Sequence, residues 1–152
     1  MCQTHYKLTT FIQGNDMAKV YTGRVIIRGD QLNEYFGLME KAEKEREPFR
    51  QLLLTYCDDF SASLSKKYTG KTIQKHINII QLFIDFICRY TDVQNILEIT
   101  KGMVNTQFRN WWKRKIGNAT TENGLRVALK KFFTFLAGEK NIINITVLKA
   151  LK

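Results

Sequence analysis

Residues 71–90 read Lys71-Thr72-Ile73-Gln74-Lys75-His76-Ile77-Asn78-Ile79-Ile80-Gln81-Leu82-Phe83-Ile84-Asp85-Phe86-Ile87-Cys88-Arg89-Tyr90, and their spacing sets the fold class. Ile73, Ile77, Ile80, Ile84 and Ile87 recur at the 3.6-residue helical period, and Ile79, Phe83 and Phe86 form a second row beside them. So broad an apolar arc predicts a helix buried against more than one neighbour. Its remaining stripe, Lys71, Gln74, Lys75, Asn78 and Gln81, is polar and mostly basic or amide.

Working outward, the same period recurs on both sides. Upstream, Phe49, Leu53, Tyr56, Cys57, Phe60 and Leu64 make a clean stripe, so a helix is expected over 48–64 with Pro48 in its first turn. Residues 65–70 then read as a loop. Downstream, a turn around 92–99 leads to a helix from 101 to about 116. That helix buries Val104, Phe108 and one or both of Trp111 and Trp112, with one core and one half-exposed tryptophan expected. Its outer stripe holds Asn105, Arg109 and Lys113, and Gly117 stops it. A further helix opens at Thr120 or Thr121, buries Leu125, Leu129, Phe132, Phe133 and Leu136, and is expected to close at Gly138. A last short helix is expected over 145–151. Before Pro48 the reading is thinner. Residues 6–12 and 19–28 fit two strands of a small β-hairpin, and residues 31–45 follow the Asp30 N-cap as a helix. The charged run 40–47 reads as a solvated end or linker. The chain therefore divides into an N-terminal extension (1–47), a helical domain (48–144) and a short C-terminal tail or helix (145–152).

Composition agrees with a mainly α protein, since the 152 residues include one proline and nine glycines. The formal net charge is +10, and it is segregated. Residues 1–60 carry eight basic and nine acidic side chains, whereas 61–152 carry sixteen basic and five acidic. Such asymmetry implies a polyanionic partner. Three cysteines without Cys-x-x-Cys spacing indicate neither a disulfide framework nor a zinc site. No cofactor, metal or small-molecule substrate is indicated. No run reaches membrane-spanning length, and a reducing, cytoplasmic and nucleoid-associated location is expected.

The helices over 71–90 and 121–138 share one design. Each opens after a threonine-containing loop, buries a thick apolar face and exposes Lys, Arg, Asn or Gln along the other. Helix N-termini suit phosphate oxygens because their N–H groups lack intrahelical partners. Basic and amide side chains one turn further on can reach phosphates or base edges in a major groove wide enough for a helix. A solvated helix face carries the same residue types, so neither helix alone would decide the matter. Two of them in a chain this basic point to DNA.

The order of these segments resembles a known family. Leu64-Ser65-Lys66-Lys67 leads to Thr72-Ile73 and then to residues 82–87, Leu-Phe-Ile-Asp-Phe-Ile. Ile99-Thr100-Lys101 precedes the next helix, and Thr120-Thr121-Glu122-Asn123 opens the one after. Residues 125–136, Leu-Arg-Val-Ala-Leu-Lys-Lys-Phe-Phe-Thr-Phe-Leu, complete the pattern. Over residues 49–144 the chain resembles the SAM-like core-binding domain of tyrosine recombinases of the phage-integrase type. The resemblance implies an orthogonal four-helix bundle forming half of a clamp on duplex DNA in recombination and integration, with its second and fourth helices facing the duplex. Carried over by position, the contacts are Thr72 and Lys75 on one helix and Thr121, Asn123, Arg126 and Lys130 on the other. Lys66, Lys67, Lys71 and Asn78 complete the candidate set. His76 departs from the pattern, standing where the family commonly has tyrosine, and is expected to pack at the core edge. The family's catalytic domain, with its arginines, lysine, histidines and nucleophilic tyrosine, has no counterpart here. Duplex DNA binding without catalysis by this chain itself is therefore expected, either as a fragment of a recombinase or as a stand-alone protein that binds without cutting. The alternative is a protein-interaction module that docks through the 40–47 segment and the hairpin onto a recombinase or another DNA-bound partner; the protein partners expected are a recombinase or the chain's own copies on DNA.

Overall fold

The computed structural model describes residues 28–117 and 121–152. Its longest element runs through the chain's one proline. Helix α1 spans Leu32–Leu64 with Pro48 inside it, so the two helices expected on either side of residue 48 are one. Proline removes a backbone donor and ordinarily costs a helix interior about 3 kcal/mol. Contacts on both sides of the proline offset that loss. Before it, Glu40–Lys44 (2.9 Å) and Lys41–Glu45 (3.9 Å) pair one turn apart. Arg46 then leaves α1 to donate to the carbonyls of Ile87, Thr91 and Val93. These lie where helix α2 (Gly70–Tyr90) ends and its last carbonyls lack helical donors. A cation at that end also meets the negative pole of the helix dipole. Burial pushes the Arg46 guanidinium below its ordinary pKa, from a start so high that the group stays charged. After the proline, Arg50 pairs with Asp85 of α2 at 2.6 Å.

The remaining elements follow the predicted order. A short 3₁₀ turn, Ile96–Glu98, leads to a π-helical turn at Met103–Gln107 that runs directly into α3 (Phe108–Lys115). Helix α4 spans Glu122–Glu139 and α5 spans Ile145–Ala150. Among the described residues the fold is mainly helical and holds no strand. The hairpin expected over 6–12 and 19–28 lies, but for Arg28, outside those residues.

The helix ends have local causes. Gly117 takes φ +56°, and its N–H and that of Ile116 both close on the Trp112 carbonyl. At α4 the stop is not Gly138 but Asn141, at φ +55°, beyond which Ile142 N–H reaches the Leu136 carbonyl at 3.0 Å. Asparagine tolerates this left-handed backbone better than other side chains do. Asn144 caps α5 by accepting from Val147 N–H at 3.1 Å. Its amide also donates to the Ile96 and Ile99 carbonyls, at 2.9 Å each. That buried side chain stitches α5 to the 96–99 turn, while Val147 and Leu151 enter the core.

A continuous run of rings joins the four longer helices. Phe60 of α1 meets Phe132 of α4 at 5.4 Å, Phe132 meets Phe133, and Phe133 meets Phe83 of α2 at 6.1 Å. Phe83 then meets Phe108 of α3 at 5.1 Å, edge to face. All five are essentially inaccessible to solvent. Edge-to-face pairs of this kind add about 0.5–1.5 kcal/mol each beyond the area they bury.

Two outcomes test this architecture in urea unfolding. Phe108→Ala should cost about 3–5 kcal/mol through the cavity it leaves. Pro48→Ala should stabilise by about 2 kcal/mol, because it restores a donor inside a continuous helix. A loss of stability in Pro48→Ala would instead indicate a helix start at residue 48.

Candidate nucleic-acid interface

Helix α2 opens at Thr69, whose carbonyl accepts from Ile73 N–H at 3.0 Å and whose hydroxyl lies 3.2 Å from that of Thr72. The threonine pair orders the entry to the helix, and the basic residues of the preceding loop and first turns stand around it. Lys66, Lys67, Lys71, Lys75 and Asn78 are exposed, and Thr72 is half-buried. Asn78 is already engaged along the stripe, accepting from Gln74 Nε2 at 2.7 Å. Helix α4 opens at Thr121, whose hydroxyl oxygen accepts from Gly124 N–H at 3.0 Å. Thr121, Asn123, Arg126 and Lys130 are all exposed. None of the ten candidate residues is sealed beneath another segment.

Two contacts link the rows. At one, Lys131 of α4 reaches the N-terminal end of α2. Its ammonium sits 4.0 Å from the Tyr68 ring centroid and 3.4 Å from His76 Nε2. Lys75, one residue from His76, acts on the same imidazole. At the other, Trp112 of α3 borders an open groove with Lys75, Asn78, Gln81 and Asp85 of α2. Next to Trp112, Lys113 pairs with Glu122 at the start of α4, and Arg109 pairs with the same carboxylate at 3.1 Å. Glu122 therefore ties the α3 row to the α4 row and neutralises part of the positive charge of both. Its pKa is lowered by the Lys113 hydrogen bond first and by the nearby Arg109 charge as well.

Both tryptophans are buried, Trp111 at 6% and Trp112 at 3% exposure, which corrects the expected half-exposed ring. They follow the core Phe108 by three and four residues in α3, so both fall on its apolar face: Trp111 packs on Phe86 and Tyr90 while Trp112 packs on Phe108. Neither ring is available for stacking on a base. His76 is buried as expected, at 7% exposure, and its Nδ1 has no partner among the described residues. Burial, then the charges of Lys131 and Lys75, push its pKa down.

Lys131 and Tyr68 were not among the residues singled out in the sequence. Lys131 lies between Ala128 and Phe135, both buried, at the flank of the apolar arc. There a lysine lays its stem on the core and keeps its charge at the rim. That flank spacing is the signal that could have marked it. Tyr68 gave no periodic signal because it precedes the helix.

Among the described residues no cluster of His, Cys, Asp or Glu could hold a metal ion, and no helix is long and apolar enough to cross a membrane. Comparison with protein-family models, curated proteins and solved structures finds no match to this chain.

The Glu122 pairs make a pH prediction. A carboxyl with a lowered native pKa contributes stability above its ordinary value of 4.5 and loses it as pH falls through the native value. Melting temperature should therefore fall more steeply below that pH in the wild type than in Glu122→Gln. Identical acid limbs for the two proteins would show that the pairs contribute nothing.

Proposed function

We propose that the chain binds duplex DNA through the α2 and α4 rows, as the core-binding domain of a tyrosine-recombinase-like protein does, and binds without cutting. In this reading the helices form the orthogonal bundle that the resemblance implies. A cytoplasmic, nucleoid-associated location goes with it. One observation carries the reading. Lysines from two separate helices, Lys75 and Lys131, converge on His76 while Arg126 and Lys130 remain exposed on the same α4. Like charges gathered at a solvent-facing seam repel one another until a polyanion neutralises them. Contacts to phosphate would supply most of the affinity, with limited base reading from Asn123 and Arg126.

Fluorescence anisotropy with a duplex oligonucleotide tests this directly. With roughly five phosphates neutralised, the log–log dependence of affinity on salt should have a slope of about −4 to −5. Arg126→Glu and Lys130→Glu should each weaken binding at least about tenfold at low salt. Lys140→Gln should stay within about twofold, because Lys140 already pairs with Asp59 at 2.6 Å. Absence of binding at low salt would refute the reading.

The alternative, docking onto a protein partner, draws support from a different face. Leu52, Leu97, Ile143 and Ile145 are exposed apolar side chains, and the first three line a groove with Phe49 and Tyr56. Groups of this kind mark interaction surfaces more often than isolated exposed residues do. A stoichiometric complex that survives Arg126→Glu but is lost on Leu97→Lys would favour this reading over the first.

A further inference from the structure

In the cluster of His76, Lys131 and Tyr68 the DNA-contact reading uses only the positive charge and leaves the imidazole proton and the Tyr68 ring without a task. An ammonium can only donate, so at 3.4 Å from Lys131 Nζ the His76 Nε2 must be the accepting nitrogen. The ring proton of neutral His76 then sits on Nδ1, the buried atom with no partner among the described residues. In this state Lys131 is held against the bundle, its charge directed into the Tyr68 ring and the imidazole. Protonating Nε2 turns the acceptor into a donor and sets two cations against each other. Lys131, on a flexible stem at the rim of the core, is the one free to move.

We propose that these residues make a proton-controlled phosphate site, in which neutral His76 parks Lys131 on the bundle and protonation of the ring releases that ammonium to a DNA phosphate. The proposal rests on the DNA-binding reading and adds a regulatory step to it. The titratable groups facing His76 are Lys131 from α4, Lys75 from its own helix and Tyr68 from the loop before α2. Two cations and burial disfavour the protonated ring in the free protein. A phosphate arriving beside Lys75 and Lys131 cancels that repulsion, so DNA binding draws a proton onto His76. By linkage, acidification strengthens binding by the same factor.

Two measurements on the full chain separate this proposal from the reading it rests on. The first is duplex affinity at constant ionic strength between about pH 5 and 8, where only an imidazole ordinarily titrates. Affinity should rise as pH falls below the ordinary histidine value of 6.5, approaching tenfold per pH unit. His76→Gln should show a flat profile, whatever its affinity at neutral pH. Lys131→Met should bind more weakly and also lose the slope. The second is an NMR titration of the imidazole in a His5→Gln background, which leaves His76 as the single histidine. Its pKa should rise when duplex is added, and rise in the free protein when Lys131 is replaced by Met. A merely structural histidine beside Lys131 would show the second shift but not the first. Duplex binding with an unmoved His76 pKa, or a pH slope that survives in His76→Gln, overturns the latch and leaves DNA binding intact. No binding at any pH overturns both.

Discussion

Phe108 lies where the aromatic chain from α4 through Phe83 meets the tryptophans of α3. Its ring contacts Phe83, Phe86, Trp111 and Trp112, the first at 5.1 Å. Rings of this size fill space in few ways, and their quadrupoles favour tilted or edge-on approaches. Fixing Phe108 therefore fixes the rotation of α2 and α3 about their own axes. A helix whose apolar arc is held cannot turn its polar stripe elsewhere. The outward display of Lys71, Lys75 and Asn78 is thus a consequence of what lies behind them.

Two polar side chains, one half-buried and one buried, do the joining that apolar packing cannot. Arg46 satisfies carbonyls at the end of α2, and Asn144 satisfies those of the 96–99 turn while capping α5. In each case a side chain adds a donor to carbonyls at the edge of the core, where one left unpaired costs about 1–3 kcal/mol. Such contacts are directional, and they set where separate segments meet. Through Arg46 the helix before Pro48 is secured to the end of α2, away from the α2 entry where Lys66, Lys67 and Tyr68 stand.

The surface shows a graded use of charge. Glu122 holds Arg109 and Lys113 in place, and Asp59 holds Lys140, so part of the basic excess is spent on internal pairing. Arg126 and Lys130 stay exposed, and Lys131 is held by aromatic groups rather than by a carboxylate. Such a contact restrains an ammonium without cancelling its charge. A cation arranged that way remains available to an anion, whereas one in an ion pair must first exchange its partner.

Much of this was legible in residue order because helical periodicity is a local property. The stripe from Leu53 to Leu64, the double row of α2, the Thr121 cap and the Gly117 stop each depend on neighbours within a few residues. The outward placement of the candidate contacts, nine exposed and Thr72 half-buried, followed from the same arithmetic, since a polar stripe opposite an apolar arc faces solvent. What the chain alone could not disclose involves partners distant in sequence. Pro48 looked like a helix start because its lost hydrogen bond is local, while the contact that helps offset it, Arg46 on the end of α2, spans more than forty residues. The meeting of Lys131 with His76 joins positions fifty-five residues apart. Spacing along one helix determines which face is polar; only the packing of helices against one another determines which polar faces meet.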